Sequence, residues 1–272
     1  MRFDLITLFP GFFESTLRYG ILERALRSGL ASVHTHDLRN WTHDRHRTVD
    51  DRPFGGGEGM VLKPQPIFEC AESLAVTPKP ARDTARESVI LLSAQGKRFT
   101  QTTARRLATL ERIVLICGRY EGVDERVSEL LCDEELSIGD FVLSGGELGA
   151  AVIIDATVRL LPGVLGHEDS TVYESFGLGD DSPAENKTPD GVPRSTHGAG
   201  GLLDYPHYTR PADFRGVAVP EILSSGDHSA IRRWRRQAAL AKTFANRPDL
   251  LADANLSDDD REYLASLDVK LP

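Results

Sequence analysis

The chain has 272 residues, 40% of them hydrophobic and 27% charged, and a formal net charge of −9. That is long enough to bury a sizeable core with room for a second, smaller domain. No apolar run approaches the ~20 residues of a membrane span, and three cysteines (Cys70, Cys117, Cys132) without CxxC spacing argue against a disulfide framework or a zinc ribbon.

The N-terminus, MRFDLITLFPGFF, reads as a first β-strand over Phe3–Leu8 rather than a signal peptide, and the thiols fit a reducing cytoplasm. A helix is expected across Glu14–Ser28, then a strand at Val33–Leu38. A loop rich in His, Asp and Arg follows and ends in DDRPFGGGEGM. Its HxH and HxxH spacings read as a polar loop, because no cysteine joins the histidines in a convergent ligand set; no metal site is expected. Next come a helix at Pro66–Leu74, a strand at Val89–Ser93, a helix at Thr100–Leu110 and a strand at Ile113–Cys117. A helix around Asp124–Leu131, a strand at Leu136–Leu143 and a long apolar helix over Gly146–Leu161 complete the first 165 residues. Strand–helix alternation of this kind predicts an α/β fold, with a mostly parallel sheet, helices on both faces and ligands at the carboxyl ends of the strands.

Residues 166–202 read as an interdomain linker. Half of the residues from Gly177 to Gly200 are Gly, Pro, Ser or Thr, too few of them apolar to offset chain entropy, so this insert is expected to be mobile. Residues 203–272 are expected to form a small all-α domain. Asp227 or Ser229 would cap a helix with apolar Ile231, Trp234, Ala238 and Ala241 on one face. Six basic residues and no acidic one lie between Ile231 and Arg247, a local basic face on an acidic body.

Three glycine-ended segments point to one site: LLSAQG (Leu91–Gly96), CGRYEG (Cys117–Gly122) and SIGDFVLSGGE (Ser137–Glu147). Glycine after a buried strand lets backbone approach a ligand closely. The nearby charges, Glu121, Asp124, Glu125, Asp140 and Glu147, suit a neutral or cationic ligand. Neither GxGxxG nor GxxxxGK[ST] is present, so a dinucleotide site or a P-loop is unsupported.

Five ordered motifs make the reading specific: DDRPFGGGEGM (Asp50–Met60), CGRYEGVDER (Cys117–Arg126), SIGDFVLSGGEL (Ser137–Leu148), PGVLG (Pro162–Gly166) and GLLDYPHYTRP (Gly201–Pro211). Together they resemble the bacterial tRNA (guanine-N1)-methyltransferase family. The resemblance implies a trefoil knot in the first domain, of the SPOUT type, that binds S-adenosylmethionine. It also implies a homodimer with composite active sites, a tRNA substrate methylated at the guanine 3′ to the anticodon (position 37), and a Mg²⁺ requirement. No membrane partner is implied.

By position, the resemblance places the donor on Leu92, Ser93, Gly118, Tyr120, Glu121, Ile138, Gly139, Asp140, Phe141, Val142, Leu143, Gly145 and Gly146. Ala94 stands where the family usually has proline. Asp50, Arg52 and Gly57 of the glycine-rich run would lie near tRNA, as would Arg210, Arg232, Arg233 and Arg236 of the C-terminal domain. The plain alternative for the arginines is a solvated helix face.

Methylating N1 of a guanine requires removing its proton and stabilising charge that spreads to O6. Arg159, in DATVRLLPG, matches the family's catalytic arginine; an i,i+4 ion pair with Asp155 is its plain alternative. The family's base is an aspartate directly before Ser-Phe, and here that position is Glu174. Glutamate has a similar pKa (~4.3 against ~3.9), but its extra methylene moves the oxygens by roughly 1 Å, a displacement that can cost about 10²-fold in rate. Asp169 is the rival base. The competing functions are a catalytically impaired RNA-binding protein of the same fold and an NAD-linked oxidoreductase.

Overall fold

The computed structural model describes residues 1–166, 171, 174–177 and 200–267. Two compact units, Met1–Gly166 and His167–Pro272, make up the chain. Most of the Gly177–Gly200 insert, together with Asp169, lies outside the described residues.

The first unit is built on five strands in the order β2-β1-β6-β5-β7, every pair parallel. The strands are β1 (Arg2–Thr7), β2 (Ser32–Asp37), β5 (Glu87–Arg98), β6 (Arg112–Cys117) and β7 (Glu134–Ser137); β3 (Asp50–Asp51) and β4 (Val61–Leu62) form a separate antiparallel pair. Strand period sorts the core onto two faces. Phe3, Leu5, Ile90, Leu92, Ile113 and Leu115 belong to one buried cluster, whereas Ile6, Val89, Leu91, Val114 and Ile116 belong to the other. The first cluster includes side chains from α2 (Gly20–Arg27), α4 (Gln101–Ala108) and α6 (Glu147–Val158); the second includes α3 (Pro64–Ser73) and α5 (Glu125–Leu130). The α/β expectation therefore holds, with helices on both faces of the parallel sheet.

Local chemistry sets the element ends. Thr100 accepts the Thr103 N–H at the start of α4, and Asp124 accepts that of Arg126 at the start of α5. The single helix expected over Glu14–Ser28 is interrupted: a short α1 (Phe13–Thr16) precedes α2, whose first residue, Gly20, has φ +67°. The strand expected over Leu136–Leu143 ends at Ser137 instead. The Ser137 hydroxyl donates to the Gly139 carbonyl at 2.9 Å, and the apolar residues beyond leave the sheet, with Val142 87% exposed.

In the second unit, α7 (His228–Asn246), α8 (Leu250–Asp253) and α9 (Asp258–Ser266) supply Leu240, Leu251 and Leu264 to a core completed by Leu202 and Leu256. Asp227, not Ser229, caps α7, accepting the Ser229 and Ala230 N–H groups at 3.0 Å. A capping box between Ser257 and Asp260 starts α9. The all-α expectation requires correction: β8 (Asp213–Phe214) and β9 (Val217–Ala218) form a small antiparallel ladder. Arg215 (φ +57°) and Gly216 (φ +82°) make its two-residue turn, the left-handed pair that hairpin twist favours.

Candidate active site

The carboxyl ends of β5, β6 and β7 converge on a cavity of 290 Å³. Every donor residue expected from the sequence lines it except Asp140, which is exposed and paired instead with Arg98. The expected Val142 and Phe141 lie on the segment that departs from β7, with the Phe141 ring packed where a Gly139 side chain would stand.

Glycine is required here by close backbone approach. A Cβ on Gly96 would fall 2.5 Å from the Leu136 nitrogen, and one on Gly146 2.8 Å from the Cys117 Cα. The Gly146 N–H donates to the Gly118 carbonyl at 2.9 Å, tying two of the three loops directly together. The third is stitched on by the Phe99 N–H, which donates to the Ser137 carbonyl at 2.8 Å. Where these glycines line the cavity, backbone can meet a ligand edge without a side chain intervening.

The cavity's charge is acidic. Glu121, Glu125 and Glu135 line it, and Glu135 accepts a hydrogen bond from the Ser128 hydroxyl. Arg119 is the one basic side chain lining it among the described residues, and its charge is balanced locally. Its Nη2 donates to Glu147 Oε2 at 2.9 Å, and the guanidinium lies 4.3 Å from the centre of the Phe9 ring. Glu147 is 1% exposed and also accepts the Thr7 hydroxyl at 2.7 Å. Sequence reasoning noted Glu147 only as a charge and missed Arg119 and Thr7. The available signal was a carboxylate opening an otherwise apolar helix. The pair acts through position, since it joins the loop after β6 to the start of α6 beside the cavity.

The glycine-rich run reaches the same place. The Glu121 N–H donates to the Met60 carbonyl at 3.0 Å, and those of Leu62 and Asp124 donate to Gly122 and Leu62 at 3.0 Å. A Gly59 Cβ would collide with the Glu121 side chain, so the run presses directly on the cavity wall. Asp50 lies in β3 at the foot of this run, paired with Leu62, while Arg52 and Gly57 lie along it. Cys117 packs rather than reacts: burial, reinforced by Glu147, pushes its thiol well above the ordinary value.

Arg159 is the C-cap of α6, its N–H donating to the Asp155 carbonyl at 3.2 Å. Glu174 belongs to the second unit. Its carbonyl accepts the Gly177 N–H at 3.0 Å, and the turn is tied to 202–204 by the Phe176 N–H on the Leu202 carbonyl and the Asp204 N–H on the Ser175 hydroxyl, both at 2.9 Å. Asp169 is outside the described residues.

Of the arginines expected at RNA, Arg232 and Arg233 lie on α7, and Arg210 lines a second cavity within its own unit. Arg236 also has a structural role. It grips the buried Asp260 with Nε at 3.0 Å and Nη2 at 2.7 Å, fixing α7 to the capping box of α9. Burial raises the Asp260 pKa, but the Arg236 hydrogen bond and those at Ser257 outweigh it and bring the carboxyl below its ordinary value. Arg236 therefore has a structural partner in Asp260, and its expected place at RNA stands as a proposal.

A family model described as tRNA (Guanine-1)-methyltransferase TrmD matches residues 1–253. A tRNA (guanine-N(1)-)-methyltransferase of Koribacter versatilis is 59% identical over 98% of both chains. Proteins of the same description from Geotalea uraniireducens (48% identity, 98% of this chain and 97% of the relative) and Chloroflexus aggregans (49%, 93% and 89%) are similar along nearly the same length. With the parallel sheet, the glycine-walled acidic cavity and these matches together, the chain belongs to the tRNA (guanine-1)-methyltransferase family of enzymes.

Proposed function

We propose that this protein transfers a methyl group from S-adenosylmethionine to N1 of the guanine immediately 3′ to the anticodon of tRNA, and that it does so in the cytoplasm as a homodimer with composite sites. The observation that carries this is the convergence of three glycine-ended loops on one acidic cavity at the carboxyl end of the sheet. Its residues fit the donor, whose sulfonium and ammonium are cationic and which bears no phosphate. Backbone of the Leu92, Gly118 and Ile138 segments would hold the adenine edge, and Glu121 would face the positive end. When bound, the donor supplies a methyl group on a positively charged sulfur. The close backbone approach at Gly96–Leu136 and Gly146–Cys117 is in keeping with a trefoil knot.

The chemistry at the guanine falls to side chains. Glu174 would take the N1 proton, and Arg159 would stabilise negative charge on O6. Asp169 is the alternative base. Asp50, Arg52, Gly57, Arg210, Arg232, Arg233 and Arg236 would hold tRNA, the last four on a small C-terminal domain. A need for Mg²⁺ follows the family resemblance; no group of three or more His, Cys, Asp or Glu among the described residues is placed to hold a metal, so no ligand is assigned.

Radiolabelled methyl transfer to an unmodified tRNA transcript tests this reading. Wild type and Asp169→Asn should be active, and Glu174→Gln should lose about 10²-fold or more, the low end of what removing a general base costs. Loss with Asp169→Asn alone moves the base to that residue. No transfer by wild type with Mg²⁺ present leaves an RNA-binding protein that has lost catalysis.

A further inference from the structure

The second unit contains a concave site of its own, enclosing 460 Å³. Tyr205, His207, Tyr208, Arg210 and Arg235 line it, and no aspartate or glutamate does, although the protein as a whole carries −9. The aromatic rings are arranged rather than scattered. Tyr205 and His207 lie 4.5 Å apart between centroids, and the Arg235 guanidinium sits 5.0 Å over the Tyr205 ring. Tyr208 approaches Trp234 of α7 at 6.3 Å and stays 47% exposed. Asp204 organises the group without lining it: it pairs with His207 Nε2 at 2.9 Å and accepts the Tyr205 N–H at 2.8 Å.

We propose that this cavity receives one unstacked nucleotide of the tRNA, with the base stacked on Tyr208 and the phosphate facing Arg210. Single-stranded RNA is held by aromatic faces that stack bases and by cations along the backbone. Both are present here, and the acid that would repel a phosphate is absent from the lining. The contrast with the carboxylate-lined donor cavity is chemical: one lining suits a small cation and the other a polyanion. Arg232, three residues before Arg235 on α7, extends the basic character along the same helix face. The proposal rests on tRNA being the substrate and adds where, outside the catalytic site, the RNA is gripped.

The test is binding of an unmodified tRNA transcript by the full chain, measured across ~50–200 mM salt. Tyr208→Ala should weaken binding about tenfold at every salt concentration, because a lost stack carries no charge and leaves the salt slope unchanged. Tyr208→Phe, which keeps the ring, should stay within twofold of wild type. Arg210→Gln should reduce the slope by about one phosphate contact. Wild-type affinity in Tyr208→Ala overturns the proposal, as does an equal loss in Tyr208→Phe. Thermal midpoints separate these results from misfolding, and Arg210→Gln carries the test if Tyr208→Ala does not fold. A wild type that binds tRNA but not S-adenosylmethionine overturns the methyl-transfer reading and leaves this one standing.

Discussion

The two ends of the same parallel sheet use buried charge in opposite ways. At the amino end, Asp4 is fully buried and receives Arg2, His36 and Arg112, each within 2.9 Å. Arg112 continues to Glu87 at 3.0 Å, and the buried Arg82 joins Asp133 to the carbonyls of Thr77 and Leu131. This network is closed, with side chains bonded to side chains across β1, β2, β5 and β6. At the carboxyl end the half-buried Arg119 and the buried Glu147 form a single strut beside a cavity walled by glycine-ended loops. One end spends its polar groups on the protein itself, and the other leaves Glu121 and Glu125 lining a cavity. Damage to the first should therefore cost stability, and damage to the second should cost binding.

The largest effect is expected at the closed end. Asp4→Asn leaves Arg112 partly unpaired in the interior and should destabilise the first unit by about 3–5 kcal/mol, read from urea or thermal unfolding. Burial alone would raise the Asp4 pKa, but hydrogen bonds from His36, Arg2 and Arg112 outweigh it and hold the carboxyl well below the usual range. A lowered folded-state pKa means that this stability is complete above the unfolded value of ~3.9 and is lost as pH falls below it. The gap between wild type and Asp4→Asn should thus be constant at pH 5–7 and close below about pH 4. A gap that instead grew on acidification would break the assignment.

A smaller and different effect is expected from the strut. Glu147→Gln keeps the shape but removes the charge facing Arg119, and should weaken S-adenosylmethionine binding about tenfold, since a hydrogen bond to a charged group contributes about 1.5–3 kcal/mol. Calorimetry checks this. Unchanged affinity would reduce the strut to a plain structural pair. The smallest effect lies away from both ends: Asp227→Ala removes the α7 cap and should cost about 1 kcal/mol in the second unit, with donor binding untouched.

The sequence made the carboxyl end legible because its signals are local. Strand, glycine and acid follow one another within CGRYEG and SIGDFVLSGGE, and strand period alone assigns Ile113 and Val114 to opposite faces. The amino end was not legible, because Asp4, Glu87 and Arg112 are far apart in the chain and only strand order brings them together. A charge run hides such pairing for the same reason: Arg236 reads like its neighbours Arg232 and Arg233, and its bond to Asp260 spans 24 residues. Phe141 and Val142 extended an apolar run and so read as strand, although the chain had already turned at Gly139 to line a cavity. Five ordered motifs point to the family, whereas the proposed base rests on a departure from the family pattern at Glu174, with Asp169 as its rival.

The most direct test of the account is titration of S-adenosylmethionine into wild type and Gly146→Ala, with unfolding of both followed in parallel. A methyl group at Gly146 must displace Cys117 backbone 2.8 Å away, and it moves apart the loop after β6 and the segment that opens α6. One donor site per chain is expected in wild type, with binding about 10–10²-fold weaker in the variant, the ~1–3 kcal/mol cost of forcing a methyl into filled space. The amino-end network should remain intact, so that the pH profile of unfolding keeps its shape. No binding by wild type, or equal binding by Gly146→Ala, would contradict the account.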